Sequence, residues 1–261
     1  MLDKEDIRQL SLDELTHKLV ALGEKPYRAK QIHEWLWKKR ATNFNEMTNL
    51  SIPLRELIND HFIINAIKLS EAQKSDDRTI KNAFLLADDA VIEGVLIPTK
   101  KRMTACVSVQ VGCSLDCAFC ATGKLKRVRN LNPDEIYDQV VMISNQSKEE
   151  YNIPLSNIVF MGMGEPLLNY KSVISSIDKI TSKQGLGMSP KRITVSTAGI
   201  AKMIHKLADD EVRFNLALSL HAANDEKRNK IMPINETNNL DVLKEAMQYF
   251  ASKTDSRPTL E

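Results

Sequence analysis

The chain has 261 residues, of which 43% are hydrophobic and 27% charged, and a formal net charge of +2 at pH 7. That length accommodates one large domain with a small one beside it, and no apolar run reaches the roughly eighteen residues that a membrane-spanning helix requires. The near-neutral charge offers no argument for a polyanionic partner, and the opening Met1-Leu-Asp-Lys-Glu-Asp lacks the basic and apolar regions of a signal peptide.

Residues 1–63 read as a small helical unit. Ser11 opens a capping box with Glu14, Gly23 ends that helix, Pro26 begins the next, and Ser51-Ile-Pro opens a third. Ile32, Trp35 and Leu36 form an apolar stripe on the second helix, so Trp35 is expected in the core rather than stacked on a base. Lys25, Arg28, Lys30, Lys38, Lys39 and Arg40 crowd the same region, either as a solvated face or as an RNA contact. Over 64–103, short alternating stretches separated by Asp and Gly predict a bridge of antiparallel strands.

From 104 to 261 strand and helix patterns alternate, which predicts parallel strands with right-handed helical crossovers. Strands are expected near 104–111, 157–163, 192–197 and 213–220, and helices near 133–147, 170–184, 199–208 and 238–252. Asn132-Pro-Asp-Glu supplies a cap, a first-turn proline and two acids at the positive end of the helix dipole. Residues two apart in a strand face the same way. One parity holds Thr104, Cys106, Ser108 and Gln110, then Thr194 and Ser196, then Asn215, Ala217, Ser219 and His221; the other is apolar. A parallel sheet covered by helices on both faces would be apolar on both. The expected fold is therefore α/β, a partial, open β/α barrel with helices on one side, a ligand-filled concavity on the other and a small N-terminal helical domain. Reacting groups gather at the carboxyl ends of barrel strands.

Three of the four cysteines, Cys113, Cys117 and Cys120, lie in the loop Gly112-Cys-Ser-Leu-Asp-Cys-Ala-Phe-Cys-Ala121, and the fourth, Cys106, lies in the strand before it. A structural zinc site uses four ligands, commonly as two separated pairs, and only one close group exists here. Three thiolates suit a four-iron cube with one iron left open to a substrate or cofactor. Reduced cysteines packed as small hydrophobes are the bland alternative. Clustered free thiols favour a reducing compartment, so a cytoplasmic location is expected. Lys100-Lys-Arg102 and Lys124, Lys126, Arg127 and Arg129 bracket this loop with positive charge that would attract phosphates.

This cysteine spacing, together with Met161-Gly-Met-Gly-Glu-Pro-Leu, Val195-Ser-Thr-Ala-Gly and Leu218-Ser-Leu-His-Ala-Ala-Asn-Asp, resembles the radical S-adenosylmethionine RNA methyltransferases of the RlmN and Cfr family, and its RlmN branch most. The resemblance runs from about Leu12 to the last residue. It implies a barrel of the radical S-adenosylmethionine type, a 4Fe-4S cluster on Cys113, Cys117 and Cys120, and S-adenosylmethionine chelated to the open iron. It places Gly164 and Glu165 at the methionyl ammonium, Ser196 as a polar contact, and Ser219, Leu220 and His221 beside the ribose and adenine. Capping a helix is the alternative role for Glu165, and a satisfied core position the alternative for His221. Glu93, in Val91-Ile-Glu-Gly-Val-Leu-Ile-Pro, matches a catalytic proton acceptor or is an ordinary strand-edge acid. Cys106 matches the cysteine that ends turnover in a disulfide with a second, methyl-carrying cysteine near the carboxyl terminus.

The implied activity is methylation of carbon 2 of an adenosine in 23S rRNA and of the adenosine beside the anticodon in tRNA, with an electron donor such as a flavodoxin, no membrane and a monomeric protein. A Cfr-like enzyme acting on carbon 8 shares every motif, and a non-catalytic metal- or RNA-binding module is the alternative of another class. The sequence departs from the family in one respect. No cysteine follows Cys120, and Arg257-Pro-Thr-Leu-Glu261 reads as the opening of a further strand. The expectation is a fragment lacking the last barrel strand and the methyl-carrying cysteine, able to bind the cluster but not to methylate RNA, with an exposed sheet edge that invites association.

Overall fold

Side-chain caps fix the first helices of the chain. In the computed structural model, which describes residues 4–100 and 102–261, Ser11 and Glu14 form the reciprocal capping box that starts α1 (Leu12–Ala21). Helix α2 spans Tyr27–Trp37, and α3 (Ile52–His61) starts at Ser51, whose hydroxyl accepts from the Leu54 amide. The short strands β1 (Glu5–Asp6) and β2 (Phe62–Ile63) pair in parallel and close this unit. Met1, Leu2 and Asp3, and Lys101 of the basic cluster, lie outside the described residues.

The expectation for Trp35 holds in part, since it packs against the core but stays half-buried. Trp37 is the buried one, stacked edge-on against Tyr137 of the fourth helix, and the Tyr137 hydroxyl donates to the Trp37 carbonyl. Trp35 is half-buried: its indole N–H donates to Asn49 and Lys39 sits 3.8 Å over its ring. Period 3.6 sets the two residues roughly 200° apart, on opposite flanks of the apolar stripe, and only the docking of this unit on the rest of the chain decides which flank is covered more fully.

Eight of the remaining strands form one sheet. Strands β3 (Lys68–Lys74), β4 (Ile80–Leu85), β5 (Val91–Pro98) and β6 (Met103–Cys106) are antiparallel neighbours. On the far side of β6 the sheet continues in parallel through β9 (Asn157–Phe160), β10 (Ile193–Thr197), β11 (Asn215–Leu218) and β12 (Thr259–Leu260). The antiparallel strands are thus a continuation of the barrel sheet. Between β6 and β9 lie the two-residue strands β7 (Gln110–Val111) and β8 (Arg129–Asn130), paired only with each other, and α4 (Pro133–Tyr151). Helices α5 (Tyr170–Thr181), α6 (Ala201–Asp209), α7 (Asp225–Ile231) and α8 (Leu240–Thr254) complete the chain; α7 had no counterpart in the sequence reading.

Register gives the sheet two different faces. Ile92, Leu96, Ala105, Ile158, Phe160, Ile193, Val195, Leu216 and Leu218 share one face and join Ile136, Val140 and Ile143 of α4, Ile177 of α5, Ile204 of α6 and Phe250 of α8 in one core. The opposite face carries Glu93, Val95, Cys106, Val159, Thr194, Ser196, Asn215 and Ala217, so helices cover one side alone.

The strand expected over 104–111 is broken. After Cys106 the backbone leaves the ladder, and both the amide and the carbonyl of Ser108 are taken by the side chain of Gln139 on α4, at 2.8 and 3.1 Å. Ser108 and Gln110 are fully buried rather than facing a ligand, because side-chain alternation holds only while a strand stays in its sheet.

Candidate active site

The loop between β7 and β8 closes on itself because its first residue is a glycine. Gly112 has φ +74°, and a Cβ there would come within 2.2 Å of the Lys126 carbonyl oxygen; the Cys113 amide donates to the Leu125 carbonyl at 3.2 Å and the Val128 amide to that of Val111 at 2.8 Å. The Ala118 amide donates to the Ile231 carbonyl at the end of α7, 2.9 Å away. These contacts hold Cys113, Cys117 and Cys120 over the carboxyl ends of the parallel strands.

All three cysteines line one cavity of about 220 Å³ with Gly164, Glu165, Ser196, Ser219 and His221. Four sequence motifs far apart in the chain therefore converge on one rim. Burial pushes the Cys113 thiol up, and pushes Cys117 up to about 11 with help from the charges of Cys113, Cys120 and Glu165. Metal binding must then displace protons from these sulfurs. Among the described residues no three His, Cys, Asp or Glu side chains close on a single ion. The donors at the cavity are three thiols, a soft set that fits an iron-sulfur cluster.

Glu165 is buried, and its carboxylate is fully engaged. It accepts from Leu167 N at 3.0 Å and Thr197 Oγ1 at 2.8 Å on one oxygen and from Ala198 N at 2.8 Å on the other. Burial nonetheless pushes its carboxyl up from the ordinary range, against those three bonds. The side chain thus caps the turn after it and ties the end of β9 to the end of β10. Gly164, at φ +96°, lets the chain turn where a Cβ would stand 2.5 Å from Gln110, whose side-chain oxygen accepts from the Glu165 amide at 2.9 Å.

Ser196 and Ser219 face each other across β10 and β11, with their hydroxyls 3.2 Å apart. His221 is exposed, has φ +55° and stacks edge-on against Phe119 of the cysteine loop at 4.4 Å between ring centroids. Leu220 is half-buried and does not line the cavity; its amide and that of His221 both donate to the Glu261 carbonyl, at 2.8 and 3.0 Å.

Glu93 and Cys106 share the open face of the sheet with Ser196 but lie outside the cavity. Glu93 is exposed and forms an ion pair with Lys81 at 3.0 Å. Cys106 is a free thiol that burial pushes up to about 11. Sequence reasoning missed Thr197 and Ala198 as braces for Glu165. It also missed Arg228, a completely buried arginine under the rim. In the run Asp225-Glu-Lys-Arg-Asn-Lys230 nothing marks one basic residue as internal.

A half-open β/α barrel that presents a Cys-x-x-x-Cys-x-x-Cys loop beside glycine-rich and serine-bearing strand ends defines a radical S-adenosylmethionine protein, and residues 107–256 match the Radical SAM superfamily. Residues 5–64 match the ribosomal RNA large subunit methyltransferase N-terminal domain. A probable dual-specificity RNA methyltransferase RlmN of Christiangramia forsetii is 59% identical over 258 residues, covering 99% of this chain and 73% of that protein. Its namesake in Flavobacterium psychrophilum is 58% identical over 260 residues, covering 100% and 75%. The crystal structure of a radical SAM methyltransferase from Sphaerobacter thermophilus superposes with a TM-score of 0.89 at 36% identity, covering 98% of this chain and 75% of that one. The chain belongs to the RlmN family of radical SAM methyltransferases, whose cofactors are a 4Fe-4S cluster and S-adenosylmethionine.

Proposed function

We propose that the protein is an S-adenosylmethionine-dependent RNA methyltransferase of the cytoplasm, acting as a monomer on carbon 2 of adenosine in 23S rRNA and beside the anticodon of tRNA. The convergence of the three cysteines with Gly164, Glu165, Ser196, Ser219 and His221 on one cavity carries this reading. The dual specificity in the names of its relatives supports two RNA substrates. The helical unit 1–63 would hold structured RNA, with Lys39, which lies against half-buried Trp35, among its basic residues.

Cys113, Cys117 and Cys120 would hold the cluster, which when bound supplies one-electron cleavage of a carbon-sulfur bond of S-adenosylmethionine, with a donor such as a flavodoxin. The chain's own residues do the rest. Because the Glu165 carboxylate is already committed, the backbone oxygens of Gly164 and Glu165, held in place by Thr197, Ala198 and Gln110, would receive the methionyl ammonium. Ser196 and Ser219 offer hydroxyls, and the Ser219–His221 segment flanks the ribose and adenine. Glu93 accepts a proton once it parts from Lys81, and Cys106 supplies one half of the disulfide that ends turnover. The other half needs a second cysteine, and no cysteine follows Cys120 in these 261 residues.

Two measurements test this. Anaerobic reconstitution with iron and sulfide should load a four-iron cluster whose resonance spectrum changes when S-adenosylmethionine is added, and Cys117→Ala should abolish it; colourless protein holding zinc refutes the reading. Incubated with rRNA, S-adenosylmethionine and reductant, a form of the protein that carries this second cysteine should give 2-methyladenosine by nucleoside mass spectrometry, and 8-methyladenosine in its place would overturn the choice of carbon.

A further inference from the structure

Arg228 projects from α7 and is 0% exposed, yet its hydrogen bonds all go to neutral oxygens. Nε donates to the Leu220 carbonyl at 3.0 Å, Nη1 to Asn235 Oδ1 at 2.6 Å, and Nη2 to the carbonyls of Ala198 at 2.6 Å and Ser219 at 3.0 Å. A guanidinium cannot shed its proton in a protein, so a full positive charge is buried here without a carboxylate against it. Asp225, the acid whose charge acts on it most, accepts its hydrogen bonds from the Asn235 amide at 2.8 Å and the Leu240 amide at 3.0 Å. A buried charge is costly to the fold unless other charges answer it.

Arg228 sits one helical turn before Ile231, the residue by which α7 packs on the cysteine loop next to Cys117. The contact is made where the Ile231 carbonyl accepts from Ala118. The charges acting on Arg228 are those of Asp225 and, less strongly, Cys117. The three carbonyls that Arg228 gathers belong to the ends of β10 and β11, the segments that carry Ser219 and His221 to the cavity. One side chain therefore ties the cofactor-facing strand ends to the element on which the thiols rest.

We infer that Arg228 is a positioning residue with two separable duties: its fork sets the Ala198, Ser219 and Leu220 backbone that receives S-adenosylmethionine, and its charge balances the anionic cluster held by Cys113, Cys117 and Cys120. This rests on the cysteine loop holding a cluster, as proposed above. A nearby positive charge stabilises the more negative, reduced state of a redox centre, so removing it makes reduction harder.

The two duties are read by two variants of the reconstituted full chain, with bound iron as the control. Arg228→Gln should move the cluster's midpoint potential to more negative values and weaken S-adenosylmethionine binding about tenfold, the worth of a charged hydrogen bond. Arg228→Lys keeps the charge and loses the fork. It should retain the wild-type potential while S-adenosylmethionine affinity still falls. A purely structural residue would lower the melting temperature without moving the potential. Arg228→Gln with four irons and a wild-type potential overturns the inference, and so does Arg228→Lys with a shifted potential or undiminished affinity, which decides the matter if Arg228→Gln fails to fold. A wild-type chain that takes up no iron overturns the reading of the cysteine loop instead, and this inference with it.

Discussion

Single backbone positions govern how accurately the site is assembled. At Gly164 the chain takes a left-handed φ that costs an L side chain about 1–2 kcal/mol, and a Cβ would also collide with Gln110 at 2.5 Å. Gln110 in turn accepts from the Glu165 amide, so any displacement is passed to the residue that braces two strand ends. Gly164→Ala should therefore destabilise the fold by about 2 kcal/mol in urea denaturation. It should also weaken S-adenosylmethionine binding by calorimetry, and affinity equal to the wild type would show that the turn is not what shapes the subsite.

Elements matter where their regular bonding stops. β6 gives way to the cysteine loop at a break, and Gln139 of α4 serves as a substitute neighbour strand by pairing with both backbone groups of Ser108. Asn169 plays a similar part, its amide nitrogen donating to the carbonyls of Val109 and Leu131 at 2.8 Å each. Gln139→Leu leaves a buried amide and a buried carbonyl unpaired, which costs about 2–4 kcal/mol. The expected outcome is lower stability with incomplete iron loading, since the loop begins four residues further on; full loading at wild-type stability would contradict it.

Across the whole molecule, the helical unit is joined to the barrel through charge buried between them. Arg8 is almost fully buried, donates to both oxygens of Asp138 at 2.8 Å and lies 3.2 Å from Asp134 and 3.9 Å from Asp6. Burial pushes Asp134 up to about 6, with Arg8 opposing and the charges of Asp6 and Asp138 adding. Its folded-state pKa is thus above its unfolded value, so the stability it contributes is complete below about pH 4 and is lost as pH rises through about 6. Asp134→Asn cannot titrate. The stability of the variant minus that of the wild type should therefore grow by about 2–3 kcal/mol between about pH 4 and 7; urea curves that shift in parallel would place the coupling elsewhere.

The sequence by itself determined the elements and the chemistry. Capping residues at Ser11, Ser51 and Asn132, alternating strands and the spacing of Cys113, Cys117 and Cys120 are local signals, set by bonds between residues a few positions apart. Motifs at 112–121, 161–167, 195–199 and 218–225 were legible because each ends a strand, and the ends of parallel strands meet. Tertiary structure alone decided what is covered and what pairs with what. It buried Trp37 more deeply than Trp35, took Ser108 and Gln110 out of the ligand face, committed the Glu165 carboxylate to Thr197 and Ala198, and turned Arg228 inward. Burial and long-range pairing depend on partners tens of residues away, and side-chain identity at one position carries no record of which neighbour the fold will bring to it.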